Sequence, residues 1–255
     1  MPSLTSPVAR LVRLARGQAS PAPKYYQLKE ALREQISSLE IDQAIPSEPD
    51  LCRLYRVSRT TVRRALDDLA HEGLLYRQQG KGTFVAPPKL RERFAQRTAG
   101  FYEDMVSRGL KVRTQILEQA VVKANKRVAA ELQLPVGDKV VKIVRVRSIG
   151  NEPILISTSY VSYHRFPELA TEDLSEASLY GLLRDKYGAH LEHGTRLVEV
   201  SFCTDEDSEY MKVKPQTPML VLTGTMYGTD GQPVEYGSAR HRGDRSQLEI
   251  EIVTG

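Results

Sequence analysis

Two short amphipathic segments separated by only two residues constrain the fold of this chain more than any other feature. Ser47 and Ser58 are of the residue type that commonly caps helix N-termini, and apolar residues follow each at three- and four-residue spacing. The second segment ends at Gly73, a residue type that readily takes the left-handed conformation that closes a helix. Because only Arg56 and Val57 lie between the two predicted helices, they must form a tight helix-turn-helix.

The flanking segments complete a small domain. A first helix is predicted over residues 25–39, where apolar residues recur on one face. After the helix-turn-helix, a β-hairpin is predicted over residues 74–85, with Gln79-Gly80-Lys81-Gly82 as its turn. Two glycines let the chain reverse sharply and hold its backbone close to another surface. A helix-turn-helix followed by such a hairpin is a winged helix-turn-helix.

Composition divides the rest of the chain. With 255 residues it has room for two domains. Its first residues are rich in Pro, Ser and Ala and lack a core pattern, and Pro87 and Pro88 open a charged segment typical of a linker. The predicted order is a mobile arm at 1–23, a winged helix-turn-helix domain at 24–86, a linker at 87–97 and a larger domain at 98–255.

Charge is distributed unevenly between these parts. Residues 1–97 carry 17 Lys or Arg against 10 Asp or Glu, whereas the remainder carries 19 against 22. A basic front on a slightly acidic body is typical of a nucleic-acid-binding module joined to a module that binds something else. Chance asymmetry in a globular protein is the alternative interpretation of the charge alone.

The sequence also narrows the compartment. No apolar run is long enough to span a bilayer. The two cysteines, Cys52 and Cys203, lie far apart and predict neither a disulfide framework nor a cysteine metal site. We therefore expect a cytoplasmic protein without a membrane partner, a metal or a cofactor.

The second predicted helix of the helix-turn-helix presents a polar face opposite its apolar stripe. That face carries Arg59, Thr60, Arg63 and Asp67. Arginine side chains can bridge two guanine acceptors in the major groove, and short hydroxyls can meet phosphates or bases. An ordinary solvated face is the alternative, but the neighbouring Gly-Lys-Gly hairpin favours DNA.

The second domain contains an internal repeat offset by 80 residues. Strand-like runs at 140–147 and 220–227 each lead to a turn, a proline and another apolar run, and a helical stretch precedes each unit. Two helix-hairpin units side by side predict an antiparallel sheet covered by helices. The predicted fold class is therefore α+β.

One of these runs carries a pair of arginines. Arg145 and Arg147 alternate along a strand and so point to the same face of the sheet. The matching positions 80 residues on are Thr225 and Tyr227, so the fold does not require arginines there. A phosphate or carboxylate is the simplest partner, because a guanidinium binds either with two hydrogen bonds. Structural pairing with Asp or Glu remains the alternative.

Residues 25–85 resemble the winged-helix domain of the GntR family of bacterial transcription regulators. The resemblance rests on Ile-Pro-Ser-Glu, Val-Ser-Arg-Thr-Thr-Val-Arg-Arg-Ala-Leu and Glu-Gly-Leu-Leu-Tyr-Arg-Gln-Gln-Gly-Lys-Gly-Thr-Phe-Val. It implies a set of operator-contacting residues: Ser47, Arg59, Thr60, Thr61, Arg63, Gln79, Gly80, Lys81 and Gly82. Two features depart from the family pattern. The loop before Ile45 is shorter than usual, and Pro49 replaces an arginine or other polar residue, which predicts weaker or less salt-dependent DNA binding.

Residues 94–255 resemble the UTRA effector-binding domain of the HutC branch of this family, related in fold to chorismate lyase. The resemblance rests on Phe-Tyr-Glu-Asp-Met at 101–105, Val-Arg-Val-Arg at 144–147, Ser-Leu-Tyr at 178–180 and His-Arg-Gly-Asp-Arg at 241–245. Within this group the chain is most similar to repressors that bind phosphorylated amino sugars such as glucosamine 6-phosphate or its N-acetyl form. The implied effector-binding residues are Arg145, Arg147 and Ser178 at the phosphate and Tyr180, Glu235 and His241 near the sugar.

Two positions depart from this effector site. Gly100 stands where a phosphate-binding serine is common, and Ser157 stands where a sugar-binding glutamate is common. The anion-binding half of the site is mostly retained, whereas the half that selects the sugar is not.

The sequence thus predicts a sequence-specific DNA-binding repressor that a small anionic metabolite releases from operator DNA. It is expected to act as a two-fold dimer, because two recognition helices on one side of the duplex match a palindromic site. The alternatives are a UTRA regulator that answers a different carboxylate or phosphonate metabolite, an architectural DNA binder and a lyase-like enzyme. No catalytic constellation supports the enzyme, so we expect none.

Overall fold

The computed structural model describes residues 22–93 and 100–250. Most of the predicted arm and part of the predicted linker lie outside these ranges. The chain divides into two compact units, Met1–Lys89 and Leu90–Gly255. No helix in the described part of the chain is both long and apolar enough to cross a membrane.

The first unit contains three helices and a hairpin. Its elements are α1 (Lys24–Ile36), α2 (Glu48–Tyr55), α3 (Arg59–His71), β1 (Leu75–Gln78) and β2 (Gly82–Val85). The predicted caps are confirmed, since the Ser47 side chain accepts a hydrogen bond from the Asp50 amide and the Ser58 side chain accepts one from the Thr61 amide. Gly73 has the positive φ of 76° that its place after α3 requires.

Helix α1 ends at Ile36, three residues before the predicted end. Ser37 and Ser38 follow it, and their hydroxyls donate to the carbonyls of Glu34 and Gln35. Such local side-chain bonds compete with continued helix and favour a turn. The core of this unit packs the apolar faces of the three helices against the hairpin, with Leu28, Leu32, Leu51, Val62, Leu66 and Leu69 fully buried.

The second unit is a mixed assembly of strands and helices. Its elements are β3 (Leu90–Glu92), α4 (Phe101–Ser107), β4 (Val112–Lys123), α5 (Lys126–Glu131), β5 (Lys139–Ile149), β6 (Glu152–Ser162), a 3₁₀ helix (Pro167–Ala170), α6 (Leu179–Asp185), β7 (Leu191–Gly194), β8 (Leu197–Phe202), α7 (Asp205–Met211), β9 (Pro218–Gly228), β10 (Pro233–Arg242) and β11 (Ser246–Leu248). Seven of the strands form one antiparallel sheet in the order β4-β5-β6-β10-β9, with β7 and β8 both paired to β9. The predicted α+β architecture is confirmed.

The predicted linker contains a strand. Residues 90–92 form β3, which pairs in parallel with β11 from the end of the described chain. The amide of Leu90 also donates to the carbonyl of Arg245. Because these backbone bonds are long-range, composition alone could not reveal them.

The internal repeat appears as a two-fold relation between hairpins β5-β6 and β9-β10. Strands β6 and β10 pair with Thr158 opposite Ser238, two residues separated by the repeat offset. The offset on β9 is one residue smaller, because the β9-β10 turn is one residue longer than the β5-β6 turn.

This shift corrects one expectation from the sequence. The positions equivalent to Arg145 and Arg147 are Gly224 and Met226, not Thr225 and Tyr227. Gly224 lies opposite Gly237, the repeat partner of the Ser157 that faces Arg145. The inference that the fold does not require arginines there is unaffected.

Helices cover both faces of the sheet. One face packs Val146 and Ile156 against α7, while the other packs Ile143 and Val161 against the 3₁₀ helix and α6. The second face, here called the cavity face, also carries Arg145, which lies directly opposite Ser157 on β6. The candidate ligand cavity opens on this face.

Candidate DNA-contacting face and ligand cavity

Helix α3 presents an arginine face that one glutamate organises. Arg59, Thr60 and Arg63 are exposed. The Nε atoms of Arg59 and Arg63 lie 3.7 and 3.3 Å from Glu48 Oε2, and Arg77 Nη2 lies 3.9 Å from Glu48 Oε1. Glu48 therefore holds the cationic side chains together. Sequence analysis missed it, although its place in the first turn of α2 was visible.

Two of the predicted contact residues take part in helix capping: Ser47 caps α2, and Thr61 contacts Ser58, the cap of α3. The Ser47 hydroxyl donates to Asp50 Oδ2, and the Thr61 hydroxyl lies 2.9 Å from the Ser58 hydroxyl. Their side chains therefore already have hydrogen-bond partners, unlike a freely solvated hydroxyl. Any contact that they make with DNA has to share those bonds.

The hairpin turn lies exposed at the end of the wing, and its glycines are required by backbone conformation. Gly80 and Gly82 have φ of 74° and 128°, and a side chain at Gly80 would meet no atom within 4 Å. The Lys81 amide donates to the Gln78 carbonyl across the turn, which places Gln79 beside the lysine. An arginine at the base of the wing, Arg77, pairs with Asp67 of α3 at 3.0 Å and joins the wing to the helix.

The second unit contains a cavity on the cavity face, with about 640 Å³ of empty space that includes its opening to solvent. The six predicted effector-binding residues all line it: Arg145, Arg147, Ser178, Tyr180, Glu235 and His241. Across residues 22–93 and 100–250 there is no group of three His, Cys, Asp or Glu side chains placed to hold a metal ion.

The two arginines of β5 are buried and form no ion pair within the described part of the chain. Arg145 is 4% exposed and Arg147 is 5% exposed, and neither makes an ion pair with any described residue. Arg145 Nε and Nη1 and the facing Ser157 hydroxyl have no hydrogen-bond partner within the described chain. Arg147 stacks over the Tyr102 ring at 5.4 Å. Structural pairing with Asp or Glu, the alternative left open by the sequence, is not observed among the described residues, although the charge of Glu235 acts on Arg145 from beyond ion-pair distance.

Burial sets the electrostatics of this pair. It lowers the pKa of the Arg145 guanidinium, because the charged form loses its hydration. Burial lowers the pKa of Arg147 well below its usual range, and the nearby charge of Arg145 adds to the effect. An anion between the two side chains would oppose both effects.

Another predicted effector-binding residue lies at the N-terminus of helix α6. Ser178 caps α6 by accepting a hydrogen bond from the Gly181 amide at 3.1 Å. Its hydroxyl hydrogen can still be donated into the cavity. Gly100 lies behind Tyr180, and a Cβ there would be 3.4 Å from the Tyr180 ring. A serine here would therefore start in ordinary van der Waals contact with that ring.

A hydrogen-bonded chain closes the other end of the cavity. The Tyr180 hydroxyl donates to Glu235 Oε2 at 2.9 Å and accepts from Arg196 Nη2 at 2.7 Å. Burial, with a further contribution from the Glu235 charge, raises the pKa of Tyr180 above its ordinary value. The tyrosine therefore stays neutral, and its hydroxyl links Arg196 to Glu235. Sequence analysis missed Arg196, which lines the cavity from the connection between β7 and β8.

A buried hydrogen bond holds His241, one of the residues of the cavity wall. His241 Nδ1 lies 2.8 Å from Glu92 Oε2, and the two residues are 0% and 2% exposed. His241 belongs to β10, whereas Glu92 belongs to β3, the first strand of this unit. Sequence analysis placed His241 in the site but missed Glu92, which is remote in sequence and carries no motif.

Comparison with protein families gives two matches. Residues 24–85 match the model of bacterial regulatory proteins of the gntR family, and residues 107–247 match the UTRA domain. The first match spans the helices and hairpin with the arginine face. The second contains the whole seven-stranded sheet and all six predicted effector-binding residues.

Individual proteins agree with these matches. The chain is 33% identical to the HTH-type transcriptional repressor NagR of Bacillus subtilis, over 89% of this chain and 93% of NagR. It is 29% identical to the histidine utilization repressor of Pseudomonas putida, over 96% and 97% of the two chains. The crystal structure of PhnF from Mycobacterium smegmatis shares the fold, with a TM-score of 0.64, 24% identity, and coverage of 89% of this chain and 100% of PhnF.

Proposed function

The chain belongs to the GntR family of bacterial regulatory proteins and carries a UTRA domain, and on this premise we propose that it is a repressor released from its operator by a small anionic effector. DNA binding and transcriptional regulation are properties of the family to which it belongs. The effector, the contact residues and the domain limits of 24–86 and 98–255 are parts of the proposal. A regulator of chromosomal genes acts in the cytoplasm.

Operator contact is assigned to the arginine face of α3 and to the wing. The residues proposed to read base edges are Arg59, Thr60 and Arg63, because an exposed guanidinium can donate two hydrogen bonds to a guanine. Thr61 and Ser47 are assigned to phosphates close to the helix N-termini, where backbone amides also favour an anion. Gly80 to Gly82, with Gln79 beside them, would follow the backbone or the minor groove.

The observation that carries the effector proposal is the unpartnered polar cluster of Arg145 and Ser157. Buried donors without acceptors cost free energy, about 1–3 kcal/mol for each group and more when the group is charged. A phosphate or carboxylate placed between Arg145 and Arg147 would satisfy these donors, and the Ser178 hydroxyl could donate to the same group. The proposed effector class therefore includes phosphorylated amino sugars and other small phosphates or carboxylates.

A homodimer is part of the proposal and would use strand β8. Its residues Val198, Val200 and Phe202 share one face of the strand and are 40%, 76% and 56% exposed. Among the described strands, β8 pairs only with β9, so it is an edge that natural proteins usually cover or charge. A second copy seated there would bury the apolar side chains by an isologous contact.

The effector proposal can be tested by ligand stabilisation and DNA release. Duplexes selected from a random library would provide an operator, and thermal unfolding would screen sugar phosphates and dicarboxylates. An effector should raise the melting temperature and also release the operator. Both responses should disappear in Arg145→Ala and persist in the control Arg113→Ala, an exposed arginine of β4. An Arg145→Ala protein that still releases DNA normally would contradict the assignment.

The dimer can be tested through its edge strand. Val200→Lys should shift the sedimentation coefficient from that of a dimer to that of a monomer. Val136→Lys alters a valine that is 66% exposed but lies in a turn, so it should leave the dimer intact. A monomeric wild type, or a dimer insensitive to Val200→Lys, would remove β8 as the interface.

A further inference from the structure

The cavity holds one carboxylate among its described lining residues, that of Glu235. A lone buried carboxylate at the far end of an anion site would normally attract an ammonium group on the ligand, as an amino sugar phosphate would provide. In this chain the Glu235 carboxylate is not alone. Arg196 reaches it through the Tyr180 hydroxyl, with bonds of 2.7 and 2.9 Å.

The backbone places Arg196 there through two glycines. A Cβ on Gly224 would lie 1.9 Å from the Thr195 carbonyl oxygen, so only glycine lets the chain cross β9 between β7 and β8. A Cβ on Gly237 would lie 2.2 Å from Glu235 Oε1, so the carboxylate would have to shift if this residue had a side chain. The two glycines thus leave the space that Arg196 and Glu235 occupy.

Arg145 and Arg196 enter the cavity from different strands. Arg145 extends from β5, whereas the connection that carries Arg196 crosses β9, three strands along in the order β5-β6-β10-β9. Glu235 belongs to β10, between them, and its charge also acts on Arg145. Arg145 and Arg147 thus define one end of the proposed site, and Arg196 with Tyr180 defines the other, next to Glu235.

The charges at the two ends differ. The first end carries two guanidiniums, and Glu235, the one carboxylate among the described lining residues, attracts Arg145 without forming an ion pair with it, so positive charge is in excess there and suits an anion. At the second end the guanidinium of Arg196 compensates the carboxylate of Glu235. Arg196 makes described side-chain bonds to Tyr180 and to the Thr195 carbonyl, which leaves further N–H groups to donate to a ligand oxygen.

We propose that Arg196 is a specificity-determining residue that excludes ammonium-bearing effectors and selects anions whose opposite end is a neutral hydroxyl or amide. Glu235 would accept the hydroxyl or amide hydrogen, and Arg196 would donate to an oxygen of the same group. An ammonium at this position would meet the Arg196 charge in a poorly hydrated site, and like charges brought together there reduce affinity. The inference rests on the proposed effector site and refines its ligand class.

The test compares two ligands that differ only in the group concerned. Glucose 6-phosphate and glucosamine 6-phosphate carry the same phosphate, but at about pH 6.5 the second also carries an ammonium. Calorimetric titration of the full-length wild type should give a dissociation constant at least about tenfold lower for glucose 6-phosphate. Arg196→Met should reduce that preference to about unity or reverse it, because Glu235 is then uncompensated.

A charge-conserving variant controls for packing. Arg196→Lys keeps the positive charge and should retain a preference for glucose 6-phosphate. Circular dichroism should show that the wild type, Arg196→Met and Arg196→Lys are all folded. A wild type that prefers the amine, or an Arg196→Met protein that retains the full tenfold preference, would overturn the inference. So would a wild type that binds both sugar phosphates no more tightly than inorganic phosphate, since the far end would then contribute nothing.

The operator assay separates this inference from the proposed function. If anions release the operator but amine and hydroxyl ligands bind equally, only the specificity role of Arg196 fails. If no anion binds the protein or releases the operator, the proposed effector site fails as well.

Discussion

Arginines carry the function proposed for both units, but their surroundings are opposite. On α3, the Arg59 and Arg63 side chains are 70% and 62% exposed, and both lie near Glu48. On β5, Arg145 and Arg147 are 4% and 5% exposed and have no ion pair in the described chain. The first pair stays hydrated at little cost, whereas the second pair carries a desolvation penalty that neighbouring groups such as Glu235 and Tyr180 offset only in part.

This difference explains how one residue type can serve two kinds of recognition. Solvated arginines can move to match a long polyanion and exchange Glu48 for phosphates or bases, so their binding depends on salt. Buried arginines cannot move and accept only a group of suitable size and charge. The following predictions test this contrast, from the largest effect to the smallest.

Replacing a buried arginine should separate stability from ligand binding. Arg145→Met removes a charge without a partner from the interior, so the free energy of unfolding without ligand should rise by about 1–4 kcal/mol. Effector binding should weaken by about 2–5 kcal/mol. Chemical unfolding and calorimetry would measure these changes. Arg59→Met on the exposed face should alter the free energy of unfolding by less than about 0.5 kcal/mol. If Arg59→Met stabilised the protein as much as Arg145→Met, the proposed difference between the exposed and the buried arginines would be contradicted.

Removing an exposed arginine should affect sequence-specific DNA binding alone. Arg63→Ala should weaken operator binding by about 1–3 kcal/mol while leaving the thermal response to effector unchanged. Gel-shift titration against operator and scrambled duplexes would measure the effect. Arg33→Ala on α1, whose side chain pairs with Glu72, is the matched control. An unchanged operator affinity in Arg63→Ala would place the base contacts elsewhere.

Two turn glycines allow the same backbone change in each unit. Gly80 and Gly150 both have positive φ, 74° and 59°, and neither has an atom within 4 Å of an added Cβ. Alanine at either position should therefore destabilise its own unit by about 1 kcal/mol through strain alone. Only Gly80→Ala should also weaken operator binding in a gel shift. Equal losses of DNA binding in both variants would show that the wing has no special role.

The smallest predicted effect concerns the lysine at the wing turn. Lys81→Ala should lower the slope of log affinity against log salt concentration by about 0.9, the value for one lost phosphate contact. Effector affinity should show no such change in salt dependence. Fluorescence anisotropy at several salt concentrations would measure both slopes, and an unchanged DNA slope would remove Lys81 from the interface.

The parts of the molecule that sequence analysis predicted well are those fixed by local interactions. Ser47 and Ser58 cap helices because each hydroxyl meets an amide only three residues away. The glycines of the wing turn are likewise required by their own φ angles. Alternation along one strand was enough to place Arg145 and Arg147 on the same face.

The parts that could not be predicted depend on contacts between distant segments. Arg196 enters the cavity because a strand breaks opposite Gly224, and Glu92 meets His241 although 149 positions separate them. A glycine inside the β9 strand was the only sequence signal for the first contact. The register of the repeat likewise became clear only from the observed strand pairing. One extra residue in the β9-β10 turn makes Gly224, and not Thr225, the position equivalent to Arg145.

The Glu92–His241 pair has a mechanical consequence. Separating the two groups would leave a buried carboxylate and a buried imidazole without their hydrogen bond, at a cost of about 1–3 kcal/mol for each group. Strand β3 is therefore bound to the wall of the proposed effector site, and it begins directly after the winged-helix unit, which ends at Lys89. In the proposed site, an effector that displaced the imidazole would also act on this strand, the first element that follows the winged-helix unit in the chain.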